Sequence, residues 1–201
     1  MRWARRARAL AQNGLAYTEG VFDRERYTEL LRISTEMLAA YGGREPEQVL
    51  ELFSGEVGYA TPKVDVRAAV FRGDGALLLV RERADGRWTL PGGWADVGDS
   101  PAECVEREVR EEAGLAVRAT KLLALWDGRR HGQPPRPSSV YKLCFRCEVL
   151  GGEAAVGTET AEVGFFREGE VPELSLSRAT PAQVARVFEH LRHPEWPTDF
   201  D

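Results

Sequence analysis

Three carboxylates, Glu108, Glu111 and Glu112, crowd one stretch of a run that reads as helix from Ser100 to Ala113. At about 100° per residue they fall within an arc of roughly 100°, beside the apolar face of Val105, Val109 and Ala113. Like charges at such spacings repel by roughly a few tenths of a kcal/mol per pair, and no Lys or Arg is interleaved within that arc. A solvated acidic face is the bland reading. Position weighs against it, because the Gly92-Gly93 loop leads straight to this helix and the acids border its buried stripe rather than lying opposite it. Hard oxygen ligands clustered in this way suit Mg2+ or Mn2+, and such an ion can in turn hold a phosphate.

The elements that must position these acids are unusually explicit. Ser100-Pro101-Ala102-Glu103 combines a capping box with proline at the first helical position, and Gly114 stands where a left-handed C-terminal residue belongs. Ahead of the helix, Val64 to Phe71 and Ala76 to Val80 are β-like runs joined by Arg72-Gly73-Asp74-Gly75, which predicts an antiparallel hairpin. A short strand at Trp88 to Leu90 meets Pro91-Gly92-Gly93. Further strands are expected at Ala119 to Trp126, Val140 to Val149 and Val163 to Phe166, and a last helix from Pro181 to about Leu191. Residues 1–58 read as three short helices: one halted at Asn13-Gly14, one through Tyr27 to Tyr41, and one from Pro46 to Phe53. Their cores are too small to be stable alone, so this segment is expected to be an appendage that packs on the rest or on a second subunit. The domain reading is therefore 1–58 and 59–201.

Gly93, five residues, Asp99, seven more, then Arg107-Glu108-Val109-Arg110-Glu111-Glu112-Ala113-Gly114-Leu115 closely resembles the Nudix box. Pro91-Gly92-Gly93-Trp94-Ala95-Asp96, the ending Glu159 to Phe166 and the N-terminal helices resemble one bacterial branch of that family, which includes CDP-choline and ADP-ribose pyrophosphatases. The resemblance implies an α+β fold, a Nudix-type α/β/α sandwich with a mixed sheet. It implies hydrolysis of a nucleoside diphosphate linked to a group X, giving a nucleoside monophosphate and phosphorylated X. Glu108, Glu111, Glu112 and Gly92 would form the metal site, with Mg2+ as cofactor and Mn2+ as a substitute, and Arg107 would hold a carboxylate in place. The family usually has Glu where this chain has Asp99, one methylene shorter, which reads as a supporting position. The general base is a box glutamate in some members and a loop acid in others, so Glu162 and Glu159 are the loop candidates.

Elsewhere, Asp127-Gly128-Arg129-Arg130-His131-Gly132 is a basic loop whose arginines suit bidentate phosphate contact, or is simply a solvated charged loop. Trp94 and Trp126 can stack on a base or serve as packing. The segment His193 to Pro197 reads as a tail or interface piece. With 201 residues, 43% hydrophobic and 29% charged, the chain is folded and soluble rather than disordered. A formal charge of -5 disfavours a broad nucleic-acid surface, leaving RNA a side substrate that Arg129, Arg130 and Arg136 would have to serve. No apolar run is long enough to span a bilayer, and no secretion signal is read. Cys104, Cys144 and Cys147 imply no disulfide framework, so a reducing cytoplasm fits. Cys144 and Cys147 lie three apart on a strand and so face opposite ways, as buried thiols. A non-catalytic regulator that senses a nucleotide sugar on the same fold stands as one alternative and an RNA-end or 3′ processing activity as another, with a homodimer expected and residues 1–58 serving dimerisation or as a lid.

Overall fold

The computed structural model describes residues 1–53, 55–136 and 138–201. They form two compact units, Met1–Pro62 with Pro135–Ser139, and Lys63–Pro134 with Val140–Asp201.

The first unit consists of α1 (Arg2–Tyr17), α2 (Val21–Gly42) and α3 (Pro46–Phe53). Its helices are longer than the sequence pattern suggests, 16 and 22 residues for the first two. Asn13-Gly14 does not stop α1. A Cβ on Gly14 would lie 2.4 Å from ring carbons of Tyr27, so this glycine permits close packing on α2. Asn13 accepts a hydrogen bond from the Ala60 amide at 2.6 Å. The small core gathers Ala4, Leu38, Ala39, Val49 and Phe53, with the Arg8 guanidinium 3.4 Å above the Phe53 ring. Trp3, Leu10, Tyr17, Phe22 and Tyr41 remain well exposed.

The second unit is the sandwich. In chain order it contains β1 (Lys63–Val70), β2 (Leu77–Glu82), β3 (Trp88–Thr89), α4 (Pro101–Ala113), β4 (Leu115–Asp127), β5 (Val140–Gly152), β6 (Thr160–Phe166), α5 (Pro181–Arg192) and β7 (Asp199–Phe200). A four-stranded mixed sheet has the order β1-β5-β4-β7, and a three-stranded sheet has the order β3-β2-β6. β1 runs parallel to β5, and β4 antiparallel to it. The tight turn at Arg72 to Gly75 forms as read, with Gly75 at φ 82°, but β1 and β2 do not continue as a hairpin. Beyond a single bridge, Phe71 to Leu77, they diverge into different sheets.

Alternation along the strands supplies two cores. Leu78 and Val80 of β2 join Val105, Val109 and Ala113 of α4, whereas Leu77 and Leu79 join Val184, Val187 and Phe188 of α5. Cys144 enters the α5-side core and Cys147 the α4-side core, both buried. The two thiols thus point oppositely, as a period of two requires. The tail is docked rather than loose: Lys121 Nζ donates to the carbonyls of Pro194 at 2.7 Å and Trp196 at 2.5 Å, and β7 pairs parallel with β4.

Candidate active site

The turn at 91–95 is held along the outer edge of β1. Val66 N–H donates to Gly93 O at 2.9 Å, Ala68 N–H to Pro91 O at 2.8 Å, and Ala95 N–H to Val64 O at 3.0 Å. Gly92 adopts φ 138°, and a Cβ there would fall 2.0 Å from the Val66 carbonyl oxygen. No other residue fits that approach. After the turn, Ser100 caps α4 through Glu103 in a reciprocal capping box, and Gly114 closes the helix at φ 72°. The helix therefore has a defined start, end and rotation relative to the glycines.

That geometry tucks two acids beneath the glycine pair. Gly92 N–H donates to Glu112 Oε2 at 2.8 Å. A Cβ on Gly93 would lie 2.9 Å from Glu108 Oε2, so the missing side chain is what admits the Glu108 carboxylate. Glu112 is 7% exposed, and burial pushes its carboxyl up to about 7, with the Gly92 hydrogen bond and Arg67 opposing and Glu108 reinforcing the rise. Burial raises Glu108 as well, against the opposing charge of Arg107. Glu111 is more open, on the solvent side of the same helix.

Arg107 ties the acids together. Its Nη1 donates to Glu108 Oε1 at 3.0 Å and to Glu111 Oε2 at 3.1 Å, its Nη2 to Asp96 Oδ2 at 2.8 Å, and its Nε to Asp99 Oδ2 at 3.2 Å. One guanidinium thus spans four carboxylates, and Asp99 reaches Arg107 despite its shorter side chain. Gly92 meets Glu112 through its N–H, which places it as a hydrogen-bond donor to this acid. Among the described residues no three acid, thiol or imidazole side chains already converge as a finished metal cage. The reason lies in the contacts: Glu108 and Glu111 turn onto Arg107, and Glu112 onto Gly92. The donor set nevertheless fits a divalent cation. It is all carboxylate oxygen, and it includes a buried acid, Glu112, whose side-chain hydrogen bond among the described residues comes from the Gly92 amide.

The remaining candidates make side-chain contacts outside the Arg107 network. Glu162 is on β6 rather than a loop, ion-paired with Arg81 across the β2–β6 register. Arg129 Nε donates to Asp127 Oδ1 at 2.9 Å, and His131 Nε2 lies 2.9 Å from Asp201 Oδ1 and packs 5.2 Å from the buried Trp126 ring. Arg130 is exposed. Trp94, 47% exposed, follows Gly93 directly, with Lys63 Nζ 6.0 Å from its ring. Of the two tryptophans, only Trp94 offers an open face.

Behind the turn lies a charged group that sequence reading does not single out. Asp65, Arg67 and Lys142 are all at least nine-tenths buried. Arg67 grips Asp65 through Nε at 2.8 Å and Nη2 at 2.9 Å, and Lys142 Nζ donates to Asp65 Oδ1 at 3.0 Å. Burial alone would raise Asp65, but the two cations outweigh it and hold the carboxyl below its usual range. The sequence signal is Asp65 and Arg67 two apart in a strand that is otherwise apolar after Lys63.

Comparison with known proteins extends over both units. A family model described as the NUDIX domain matches residues 61–188, and one described as a UDP-X-like, N-terminal oligomerisation domain matches residues 1–53. The chain is 46% identical over 198 residues to YjhB of Bacillus subtilis (strain 168), provisionally named an ADP-ribose pyrophosphatase, covering 98% of this chain and 95% of that one. A solved ADP-ribose pyrophosphatase from Streptococcus suis 89-1591 is 44% identical, with 70% of this chain and 100% of that chain covered and a TM-score of 0.64. A solved UDP-X diphosphatase is 32% identical, covering 100% and 97%, with a TM-score of 0.65.

Proposed function

The chain belongs to the Nudix hydrolase family and is a pyrophosphohydrolase, and from that premise we propose that it cleaves the diphosphate bond of a nucleoside diphosphate linked to X, of the ADP-ribose or CDP-choline type. Products are a nucleoside monophosphate and phosphorylated X. The observation that carries this reading is the Glu108 and Glu112 pair beneath the Gly92-Gly93 turn, with Glu112 buried and its carboxyl raised. Names of the similar proteins weight the substrate toward ADP-ribose or a related nucleoside diphosphate sugar.

Nudix enzymes in general use divalent cations, and we assign Mg2+, with Mn2+ as a substitute, to Glu108, Glu111 and Glu112. When bound, such an ion neutralises the diphosphate and acidifies a water. Arg107 holds Glu108 and Glu111 on one side of the helix, and both would turn from it or share it when an ion binds. Gly92 N–H fixes Glu112 Oε2. A box glutamate carries the base role in this reading. Glu162 would first have to leave Arg81. Trp94 offers its open face to the base of the substrate, and Arg129, Arg130 and His131 are the candidates for contacts to the phosphates or X. The N-terminal unit, with Trp3, Leu10, Tyr17 and Phe22 exposed, is assigned to a homodimer interface. No helix of the described residues is long and apolar enough to cross a membrane, and a cytoplasmic site of action is part of the proposal.

The test is nucleotide release from ADP-ribose, CDP-choline, other nucleoside diphosphate sugars, dinucleoside polyphosphates and nucleoside triphosphates, each with Mg2+, Mn2+ or EDTA. Metal-dependent cleavage of a diphosphate-linked compound supports the reading. Silence across the panel, with binding seen by thermal shift, overturns it in favour of a sensor. Light scattering after size exclusion checks the dimer.

A further inference from the structure

The charged group behind β1 does more than fill space. Arg67 Nη1 donates to the Leu90 carbonyl at 3.0 Å, in addition to its two bonds to Asp65. Leu90 is 2% exposed, and its carbonyl also accepts from the neighbouring Thr89 hydroxyl at 3.3 Å. The backbone of β1 holds the turn at Pro91 O and Gly93 O, on the other side of the chain. Arg67 therefore grips the residue from which the Pro91-Gly92-Gly93 turn departs, while β1 grips the turn itself. A Cβ on Gly92 would lie 2.0 Å from Val66 O and 3.0 Å from Arg67 Cα, so the glycine sits directly against the β1 backbone from which the Arg67 side chain projects. The guanidinium is also a favourable electrostatic partner of both Glu112 and Glu82.

We propose that Arg67 is a positioning residue for the cation site: by anchoring Leu90 O from within the sheet, it fixes the Gly92 N–H against Glu112 Oε2. Asp65 orients the guanidinium fork, and Lys142 balances the charge that Asp65 brings into the core. A group that orients a metal ligand from behind typically changes metal affinity by about 10–100-fold when removed. The inference rests on the assignment of Glu112 to the cation site.

The experiment compares Arg67→Met and Lys142→Met in the full chain. Each removes one buried cation and leaves Asp65 with one partner, so the two variants lose similar charge balance. Arg67→Met alone loses the bond to Leu90 O and the guanidinium charge felt by Glu112, and Arg67→Lys, which keeps that charge, separates the two effects. Mn2+ binding to metal-free protein, followed by calorimetry without substrate, is expected to weaken by about 10–100-fold in Arg67→Met and by less than about twofold in Lys142→Met. The Gly92 amide resonance, read by 15N correlation NMR without metal, is expected to move in Arg67→Met alone. Should Arg67→Met fail to fold, Arg67→Lys keeps the charge but cannot hold Asp65 at two points and Leu90 together, and the same weakening is expected. Unchanged Mn2+ affinity in a folded Arg67 variant, or equal weakening in Lys142→Met, overturns the inference. Glu112→Gln separates the two levels: if it binds Mn2+ as the wild type does, the site assignment itself fails, whereas a loss there with Arg67 variants unaffected removes only the role of Arg67.

Discussion

Replacing Glu112 with glutamine isolates the electrostatic tension at the site. Glutamine keeps the size of the side chain and an oxygen for the Gly92 N–H, but cannot ionise. In the wild type, burial lifts the carboxyl from an ordinary 4.5 to about 7. The folded protein then binds this proton more tightly than the unfolded chain does. Its contribution to stability is complete below pH 4.5, declines as pH rises, and is gone above about 7. A displacement of that size corresponds to about 3 kcal/mol, of which about 2–3 kcal/mol is lost between pH 5 and pH 8. For a chain of this length that is a melting shift of about 5–10 °C. The assay is thermal unfolding in EDTA at both pH values for wild type and Glu112→Gln. Glu82 and Glu108, also raised by burial, titrate in both proteins and largely cancel in the comparison. The wild type should lose about 2–3 kcal/mol more than the variant on going to pH 8. Adding Mg2+ at pH 8 should restore the wild type, by about 2.7 kcal/mol at a hundredfold excess over its dissociation constant, and leave the variant where it was. Equal pH losses, or equal stabilisation by Mg2+, would refute the reasoning.

Arg107→Lys is expected to lower kcat by about 10–100-fold, because one ammonium cannot replace the fork that spans Asp96, Asp99, Glu108 and Glu111; steady-state kinetics with Mn2+ titration checks this. Asp99→Glu should leave kcat within about threefold, since Asp99 serves only to brace Arg107 at 3.2 Å and a longer carboxylate can do the same; a large loss would give Asp99 a direct role. Gly92→Ala should abolish soluble protein or cost more than about 4 kcal/mol, whereas Gly98→Ala, with φ 106° but open space around it, should cost about 1–3 kcal/mol, both read from denaturant unfolding.

Local signals were legible in the sequence, and long-range ones were not. The bounds of α4 follow from Ser100, Glu103 and Gly114, each of which acts within one turn of the helix, and the opposite facing of Cys144 and Cys147 follows from strand geometry alone. The turn at Arg72 to Gly75 was equally plain, but a turn specifies only a reversal, and β1 then pairs with β5 while β2 pairs with β3 and β6 in a separate sheet. Asn13-Gly14 carries a stop signal that tertiary contact with Tyr27 overrides. β7 is two residues long and has no periodicity to detect. Glu162 read as a loop acid because β6 begins earlier, at Thr160, than its apolar run. Asp65 and Lys142 are 77 positions apart, and only the β1–β5 register brings them side by side.

The charges around the turn explain why such an arrangement persists. Five carboxylates, Asp96, Asp99, Glu108, Glu111 and Glu112, surround a single guanidinium, that of Arg107, and the last of the five does not even touch it. Isolated buried charge is costly, and the protein answers at Glu112 by holding on to a proton. Arg67 limits that cost from behind without cancelling it, because its hydrogen bonds go to Asp65 and Leu90 rather than to Glu112. A direct Arg67–Glu112 bond would lower the carboxyl and, in the proposed site, leave it less open to a cation. Complete isolation would instead leave it neutral at working pH. In the proposed site, keeping the guanidinium near but committed elsewhere would let Glu112 exchange its proton for a divalent ion close to neutral pH, as a metal-dependent hydrolase requires.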